Sequence, residues 1–328
     1  MRRAPVLLLV AVLLGAAACT SRGTPPPGAS PGPTGTAVAS GPCTRALPAV
    51  SGAVGAEPTV KIPAGNPCAV LQSSILVTGT GPVVRKGDVL VVNYSGRVWR
   101  DGKVFDDSFT RGVPGDFVIG AGQLIPGWDE TLVGVTTGSR VLLVIPPDKA
   151  YGATGQPQAG IQGNDTLVFV IDVLGAFAPT AAATGQPVPA SPAAGPLPQV
   201  SGGPGQRPTV SIPQGAAPPA DLVVRTLLQG NGPKIEKGHP AVLQYLGYVW
   251  GSGKLFDSSW DRGQPASFPI GNGATIPAWD SALVGVPTGS RVLLVVPPKD
   301  GFGSQGRPQI GISGTDTLVF VIDVIGTY

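Results

Sequence analysis

Histidine and cysteine, two residue types that often carry out acid–base, nucleophilic or metal chemistry, are scarce in this sequence. It has 328 residues but one histidine, His239, and three cysteines. A single histidine excludes a histidine-based zinc site, a Ser-His-Asp triad in each half, and a proton shuttle repeated along the chain. The sequence contains no CxxC pair, phosphate-binding loop or dinucleotide fingerprint. We therefore expect a protein with no cofactor and no metal.

Aromatic residues and carboxylates recur instead in short motifs that occur twice. Examples are FDDS at 105–108 and FDSS at 256–259, LIPGW at 124–128 and TIPAW at 275–279, and DTLVFVIDV at both 165–173 and 316–324. The offset between these copies is constant at 151 residues, which indicates a duplicated domain and not a solenoid. Aromatic residues in β-rich segments are usually core residues. The recurrence of the whole series in order is what favours one shared fold for the two copies.

The elements that must position these motifs are mostly strands. In the first copy, β-branched runs predict strands over 89–94, 98–99, 105–108, 116–119, 139–145 and 166–174. Asp101-Gly102 indicates a two-residue hairpin, and residues 126–133 form the one convincing helix, with Pro126 at its start and Gly134 after its end. A glycine-rich loop spans 151–164. We expect an α+β unit whose antiparallel sheet buries one face against one short helix.

The ordered series Tyr94, FDDS, Arg111, Phe117, LIPGW, AYGATG at 150–155 and TLVF at 166–169 resembles the FKBP-type peptidyl-prolyl cis/trans isomerases. The resemblance covers about 95 residues of each copy. It implies two half-barrel domains, each an antiparallel β-sheet wrapped over one short helix. It also implies a hydrophobic pocket between helix and sheet that binds a prolyl ring and, in many members, the macrolides FK506 and rapamycin.

Carried over by position, the resemblance implies two pockets. The catalytic residues of the first are Tyr94, Phe105, Asp106, Phe117, Trp128, Tyr151 and Phe169, with Leu124, Ile125 and Ile161 as further substrate-binding residues. The residues of the second are Tyr245, Phe256, Asp257, Phe268, Ile276, Trp279, Phe302, Ile312 and Phe320, beside Thr275. Trp128 is expected to form the floor, and Arg111 and Arg262 to pair with the pocket aspartates. The loop that carries Ile161 is one residue longer than the family pattern.

Two departures from the family pattern fall in the second copy. Phe302 replaces the tyrosine whose hydroxyl binds the ligand carbonyl in family members, and Thr275 replaces Leu124 and places a hydroxyl beside the floor. A neutral hydrogen bond contributes about 0.5–1.5 kcal/mol, so we expect the second site to bind up to about tenfold more weakly.

The N-terminus carries an export signal. Arg2-Arg3 precede an apolar run over 6–14 and then small residues up to Cys19. This run is too short to span a bilayer. We predict cleavage after residue 18 and acylation of Cys19, which places the protein at the outer face of the cytoplasmic membrane; a secretory signal with a chance cysteine is the alternative.

Cys43 and Cys68 are an even pair in an exported chain, and we predict a disulfide between them.

Composition divides the rest of the chain. Residues 19–56 and 178–206 are rich in Pro, Gly, Ala, Ser and Thr and nearly uncharged, and we predict a tether and a linker there. The domains are then expected at 57–177 and 207–328. The formal net charge is +3, two of it from Arg2 and Arg3, and no cluster of Lys and Arg occurs. We therefore expect no nucleic-acid partner.

These observations favour an exported, membrane-tethered isomerase of X-Pro bonds, with proline-containing unfolded polypeptides as partners. A tandem module that binds proline-containing segments without catalysis is the alternative, above all for the second domain. A purely structural surface protein would require filled or blocked pockets.

Overall fold

The computed structural model describes residues 46–189 and 196–328, which form two units of the same architecture. The first unit contains β1 (Ala49–Ser51), β2 (Thr59–Lys61), β3 (Gln72–Val77), β4 (Val89–Val98), β5 (Val104–Asp107), β6 (Gly115–Val118), β7 (Arg140–Ile145) and β8 (Leu167–Phe177), with α1 (Ser108–Arg111) and α2 (Pro126–Leu132). The linker and second unit contain β9 (Gln186–Pro187), β10 (Gln199–Ser201), β11 (Thr209–Ser211), β12 (Val223–Gln229), β13 (Pro240–Val249), β14 (Leu255–Ser258), β15 (Ala266–Pro269), β16 (Arg291–Val296) and β17 (Leu318–Thr327), with α3 (Pro277–Leu283). Short 3-10 segments lie at Pro147–Lys149, Pro157–Ala159, Pro298–Asp300, Gly303–Gln305 and Pro308–Ile310.

Each unit is built on one antiparallel sheet. The strand order is β3-β7-β8-β4-β5 in the first unit, with β6 also paired to β4. In the second unit the order is β14-β13-β17-β16-β12-β9, with β15 paired to β13. The central strands β7, β8, β16 and β17 are runs of Val, Leu and Ile buried on both faces, which suits strands inside a sheet. The predicted α+β fold is confirmed.

A single helix of two turns packs against one face of each sheet. α2 begins at Pro126, whose fixed φ favours the first helical position. It ends at Leu132, one residue earlier than predicted, because Val133 already has extended backbone and Gly134 has a φ of +92°. The helix buries Trp128 and Leu132 against β4, β7 and β8.

The opposite face of the sheet is buried as well, so the expectation of a single buried face was wrong. The hairpin β1–β2 lies over this face, and its Val50 and Val60 pack with Trp99 from the end of β4. Leu142, Val144, Val168 and Val170 complete this second apolar layer. The hairpin β10–β11 covers the second sheet in the same way. β1 lies within residues 19–56, where we predicted a tether, so ordered structure begins earlier than expected.

A buried ion pair holds the β1–β2 hairpin onto the sheet. Arg140 on β7 donates from Nε to Asp172 Oδ1 (2.5 Å) and from Nη2 to Asp172 Oδ2 (2.7 Å). Nη1 and Nη2 also donate to the carbonyls of Gly52 and Ala56 in the hairpin turn, both at 2.8 Å. Neither side chain is more than 2% exposed. Arg291 and Asp323 repeat the arrangement in the second unit.

The range predicted as a linker contains a segment, residues 178–189, that packs onto the second unit. Gln244 Nε2 donates to the carbonyl of Pro179 (2.7 Å), and the amide of Ala183 donates to Asp323 Oδ2 (2.9 Å). Ala183 has no exposed surface, and β9 pairs with the edge strand β12. The proline-rich composition of this segment suggested a spacer, but small residues and a few well-placed amides let it fold against a neighbouring sheet.

The two units meet through equivalent residues. The rings of Phe177 and Tyr328 pack edge to face with centroids 6.2 Å apart. A β-carbon at Gly326 would lie 2.4 Å from the Phe177 ring, and one at Gly175 would lie 1.7 Å from the Tyr328 hydroxyl. Phe177 thus packs on Gly326, and Tyr328 packs on Gly175, which is the residue equivalent to Gly326 in the first unit. This reciprocity is that of a two-fold dimer interface, formed here within one chain.

Candidate active site

An aromatic cluster fills the space between α2 and the sheet in the first unit. Trp128 lies at its centre, packed edge to face with Tyr94, Phe117 and Phe169 at centroid distances of 5.6, 5.4 and 5.3 Å. Phe105 packs on Phe169 at 5.5 Å. Edge-to-face packing of this kind is favoured by the ring quadrupoles. Trp128 is 5% exposed, in the position expected of a pocket floor.

Four strands contribute the walls of the cluster. Tyr94 comes from β4, Phe105 and Asp106 from β5, Phe117 from β6 and Phe169 from β8. The remaining predicted residues, Leu124, Ile125, Tyr151 and Ile161, pack against the same core. Ile161 is 1% exposed, so the extra residue in its loop does not carry it away from the core. The structure therefore brings all the predicted residues of the first pocket to one place.

One polar group of three residues borders the aromatic cluster. Tyr94 Oη donates to Asp106 Oδ2 (2.6 Å), and Arg111 Nη2 donates to Tyr94 Oη (2.9 Å). Arg111 Nη1 also donates to Asp106 Oδ1, and the guanidinium lies 5.4 Å from the centre of the Tyr94 ring. The Tyr94 hydroxyl thus donates one hydrogen bond and accepts another, and these two bonds fix the phenol in one orientation.

The electrostatics of this group keep the phenol neutral. Burial, with the adjacent Asp106 carboxylate as a second cause, raises the pKa of Tyr94 well above its usual range. Burial and the same carboxylate also raise the pKa of Tyr151. In the second unit, burial and Asp257 raise the pKa of Tyr245 to about 12. Both tyrosines that face an aspartate are therefore hydrogen-bond donors at physiological pH.

A pH dependence follows from these pKa shifts. The unfolded chain loses tyrosine protons near about pH 10, whereas the folded chain retains them at Tyr94 and Tyr245. Since the folded state then binds more protons, its free energy of unfolding should fall as the pH rises above about 10 and stay unaffected by these groups below it. Unfolding in urea across this range measures the effect. The Tyr94→Phe variant should show a smaller fall, and an equal fall would contradict the assignment.

Close packing under the phenylalanine rings depends on a glycine that sequence reasoning missed. A β-carbon at Gly96 on β4 would lie 2.8 Å from atoms of both Phe105 and Phe169. Gly247 stands in the same relation to Phe256 and Phe320 in the second unit. The only available signal was that both copies have glycine at this position of a strand, where glycine is otherwise unfavourable.

The Gly96→Ala variant should therefore displace both phenyl rings and lower isomerase activity on an X-Pro peptide by at least about tenfold, because a displacement of about 1 Å in a site can cost that much or more. Gly115→Ala is the matched control. A β-carbon there also meets ring atoms, of Phe117 at 2.6 Å, but the second unit has Ala266 at the equivalent place and accommodates it. Equal activities of the two variants would show that the glycine is not needed for the pocket.

The second unit repeats the site with two differences. Trp279 packs with Tyr245, Phe268 and Phe320, each at 5.3 Å, and Phe256 packs on Phe320. Tyr245 Oη donates to Asp257 Oδ2 (2.7 Å), and Arg262 donates to both residues. Ile276, Phe302 and Ile312 pack against the same core. All the predicted residues of the second pocket are thus also brought together.

The differences lie at Phe302 and Thr275. Phe302 has no hydroxyl, and the guanidinium of Arg307 lies 5.2 Å from its ring centre; Gln156 is the equivalent of Arg307 in the first unit. Thr275 Oγ1 donates to Asp280 Oδ1 (2.6 Å), a carboxylate that also accepts the amides of Gly271 and Gly273. The threonine hydroxyl is thereby used in the loop before α3. The expected weakening of the second site then depends on Phe302.

Two indole N–H groups in these clusters have no hydrogen-bond partner. Nε1 of Trp128 and Nε1 of Trp279 are both buried, and no acceptor lies within reach among the described residues. An unsatisfied buried donor costs about 1–3 kcal/mol, and it recurs at the equivalent tryptophan of both sites.

Several predicted features fall outside the site or outside the described residues. Cys19 and Cys43 are not among the described residues, so acylation and the disulfide stay predictions; Cys68 is buried, with 4% exposed. Within residues 46–189 and 196–328, no His, Cys, Asp and Glu side chains are grouped as a metal site. In the same part of the chain, no helix is long and apolar enough to cross a membrane.

Comparison with known proteins agrees with this geometry. A sequence model of the FKBP-type peptidyl-prolyl cis-trans isomerases matches residues 81–174 and 232–325. The FK506-binding protein of Streptomyces anulatus is 35% identical over 120 residues, which are 37% of this chain and 96% of that protein. FkpA of Escherichia coli is 43% identical over 104 residues, 32% of this chain and 37% of its own length.

Other matches extend over both units. The rat peptidyl-prolyl cis-trans isomerase FKBP9 is 31% identical over 242 residues, 74% of this chain and 35% of its own length.

Among solved structures, the crystal structure of FkpA matches with 43% identity and a TM-score of 0.30, and the match covers 33% of this chain and 48% of that chain. The family model matches more than half of the chain, at the two places where the aromatic sites lie. The chain belongs to the FKBP-type peptidyl-prolyl cis-trans isomerase family and contains two tandem domains of that family.

Proposed function

We propose that the first unit catalyses cis/trans isomerisation of X-Pro bonds in exported polypeptides, at the outer face of the cytoplasmic membrane. The observation that carries the catalytic part is the aromatic cluster of Trp128, Tyr94, Phe117 and Phe169, with a neutral phenol held by Asp106. The cellular location is supported by the N-terminal export signal and the small residues before Cys19.

The chemistry requires no covalent step. Rotation about an X-Pro amide is slow because the planar amide must lose its partial double bond, with a barrier of about 18–20 kcal/mol. An apolar pocket that excludes water disfavours the more polar planar amide relative to the twisted one. The aromatic walls meanwhile hold the prolyl ring while the preceding chain turns. The reaction therefore needs a site that fits the prolyl ring and excludes water, and the buried aromatic rings around Trp128 provide its apolar walls.

Asp106 acts in this proposal as a positioning residue. Its carboxylate accepts hydrogen bonds from the Tyr94 hydroxyl and from Arg111, whose guanidinium lies over the Tyr94 ring. These contacts keep the Tyr94 side chain in one orientation. It also places negative charge at the border of the pocket. Asp106→Asn should retain the fold and reduce activity; unchanged activity and folding would remove this role.

The second unit is proposed as the weaker site. It has the same floor and the same tyrosine–aspartate pair, but Phe302 lacks the hydroxyl that Tyr151 offers in the first unit. A binding module without catalysis is the second candidate for this unit, and Phe302 is the observation that favours it. Two linked sites of unequal strength raise the apparent affinity for long unfolded chains that contain several prolines.

Reciprocal substitutions at Tyr151 and Phe302 in the full chain test how much each site contributes to the isomerase activity. We expect the full chain to accelerate isomerisation of a short X-Pro peptide and FK506 or rapamycin to inhibit it. Tyr151→Phe should weaken the first site up to about tenfold, and Phe302→Tyr should strengthen the second by a similar factor, since one neutral hydrogen bond is exchanged in each. If no variant accelerates the reaction while all remain folded and bind the drug, the pockets bind without catalysing.

A further inference from the structure

A cleft lies between the two units, beside the turn of the β1–β2 hairpin. Its volume is about 460 Å³. Its lining includes Gly55, Asn93, Ser108 and Leu174 of the first unit and Pro240 and Tyr328 of the second. Successive side chains of a strand point to opposite faces, so Asn93 on β4 faces away from the aromatic cluster that contains its neighbour Tyr94. None of the residues assigned to the two pockets lines this cleft, which is therefore a separate site.

Asn93 offers the cleft one unused hydrogen-bond donor. Ser108 Oγ donates to Asn93 Oδ1 (3.1 Å), which directs the amide nitrogen Nδ2 away from Ser108. Nδ2 has no hydrogen-bond partner among the described residues. The residues that line the cleft include no Asp, Glu, Lys or Arg. A ligand that fits this lining is uncharged and supplies a carbonyl oxygen to Nδ2.

The second unit shows which group the equivalent donor binds. Gln244 is 151 residues after Asn93 and is held in the same way, since Ser259 Oγ donates to Gln244 Oε1 (2.5 Å). Gln244 Nε2 donates to the carbonyl of Pro179 (2.7 Å). The donor that is unused in the first unit is thus used in the second, by the chain segment 178–183.

This bound segment begins with a β-turn. The amide of Ala181 donates to the carbonyl of Ala178 (2.9 Å), which places Pro179 at the second position of the turn, where its fixed φ is favourable. The carbonyl of the second residue is not used within a β-turn, and here Gln244 binds it. The other side chains of the segment are Thr180 and alanines, which are small and uncharged. The groove of the second unit thus holds a short, neutral turn that begins X-Pro.

The cleft of the first unit is shorter than this groove at one end. In the second unit, the carbonyl of Ala183 accepts the amide of Gly205 (2.7 Å), and its amide donates to Asp323 Oδ2 (2.9 Å). In the first unit, Gly55 is equivalent to Gly205 and donates directly to Asp172 Oδ2 (2.7 Å). The place of Ala183 is therefore closed, and the first cleft can hold the turn but not the residues that follow it.

We propose that the first cleft binds a neutral β-turn with proline at its second position, supplied by a separate polypeptide, and that Asn93 Nδ2 donates to the proline carbonyl. The same kind of segment occupies the equivalent groove of the second unit. This site goes beyond the isomerase pockets, because it holds a turn that is already formed. In a polypeptide with several prolines, it keeps the chain attached while another X-Pro bond enters the first pocket, which raises the effective concentration there.

A capped peptide with the sequence of residues 178–183 is the probe. Nuclear magnetic resonance of the full chain follows the side-chain amide of Asn93 and the backbone amide of Gly55, with FK506 present to occupy the prolyl pockets. The peptide should shift both resonances at millimolar concentration. A peptide with alanine in place of the proline should bind more weakly, because proline favours the turn. These shifts do not depend on catalysis, so a protein without isomerase activity would still give them.

Asn93→Asp and Asn93→Gln form a matched pair of variants. Asn93→Asp keeps the acceptor for Ser108 but turns a carboxylate toward the peptide carbonyl, so it should weaken peptide binding by at least about tenfold. Asn93→Gln keeps the donor, as the second unit does with Gln244, and should retain binding. Amide exchange in β8 checks that both variants remain folded.

Equal peptide binding by the two variants would overturn the proposal, and so would an absence of shifts at Asn93 and Gly55. Shifts that disappear when FK506 is added would place the peptide in the prolyl pockets and remove the separate site. A shift of the Asn93 amide with protein concentration alone, without peptide, would show that a second copy of the chain occupies the cleft instead.

Discussion

Replacing Asp172 with asparagine is expected to lower the free energy of unfolding of the first unit by about 3–5 kcal/mol. Asp172 takes two hydrogen bonds from Arg140 and one from the amide of Gly55, and its side chain has no exposed surface. The variant leaves the Arg140 guanidinium buried without a counter-charge. It also weakens the attachment of the hairpin turn that covers the second face of the sheet.

The matched control is a surface pair in the same unit. Lys149 Nζ lies 2.6 Å from Glu130 Oε1, but both side chains are substantially exposed. Glu130→Gln should therefore change the free energy of unfolding by no more than about 1 kcal/mol. Asp323→Asn should destabilise the second unit as Asp172→Asn destabilises the first. Urea unfolding of the full chain, followed by hydrogen exchange within β8 and β17 separately, measures both. A loss below about 1 kcal/mol in both aspartate variants would mean that these pairs do not hold the hairpins.

Replacing Trp128 with alanine is the second change with a large expected effect. Removal of a buried tryptophan costs about 3–5 kcal/mol, and here it also takes away the ring that contacts Tyr94, Phe117 and Phe169. The pocket then loses its floor and admits water. We expect the first site to lose FK506 binding and isomerase activity by at least about a hundredfold.

Trp279→Ala separates this effect from general damage. It should remove the second site in the same way and leave the first site intact. Calorimetric titration of the full chain with FK506 should therefore show the weaker binding event disappear in Trp279→Ala and the stronger one in Trp128→Ala. Loss of the stronger event in Trp279→Ala would mean that the two sites have been assigned in the wrong order.

The elements around the pocket were predictable because their signals are local and occur twice. The strands from β4 to β8 lie within a few residues of their predicted bounds, and the helix that begins at Pro126 ends one residue early. The pocket residues were identified through a family resemblance that joins distant motifs. Period and propensity alone would have left Trp128 and Phe169 as core residues, since burial by itself does not distinguish a pocket wall from a core.

The features that escaped prediction depend on contacts distant in sequence. The β1–β2 hairpin has few apolar residues and lies in a Pro- and Gly-rich range, so only its packing on Trp99 reveals it. Arg140 and Asp172 are 32 residues apart, and neither has a local signal for pairing. β9 is two residues long, too short for any pattern. The hydroxyl of Thr275 was expected beside the floor, but a nearby carboxylate on α3 binds it.

The contact between Phe177 and Tyr328 was also not predicted, since an interface between units leaves no periodic signal. Phe177→Ala should loosen this contact without disturbing either pocket, because the residue lies at the end of β8 beyond Phe169. Small-angle scattering of the full chain should then show a larger radius of gyration, while isomerase activity on a short peptide stays unchanged. An unchanged radius would mean that other contacts hold the units together.

We assign catalysis of X-Pro isomerisation to the first pocket. The most direct measurement is the rate of cis-to-trans relaxation of a short X-Pro peptide in the presence of the full chain that carries Trp279→Ala. We predict acceleration that rises in proportion to protein concentration and is abolished by FK506. A rate equal to the uncatalysed one, with the protein folded and FK506 still bound at the first site, would contradict the claim and leave the first pocket as a binding site.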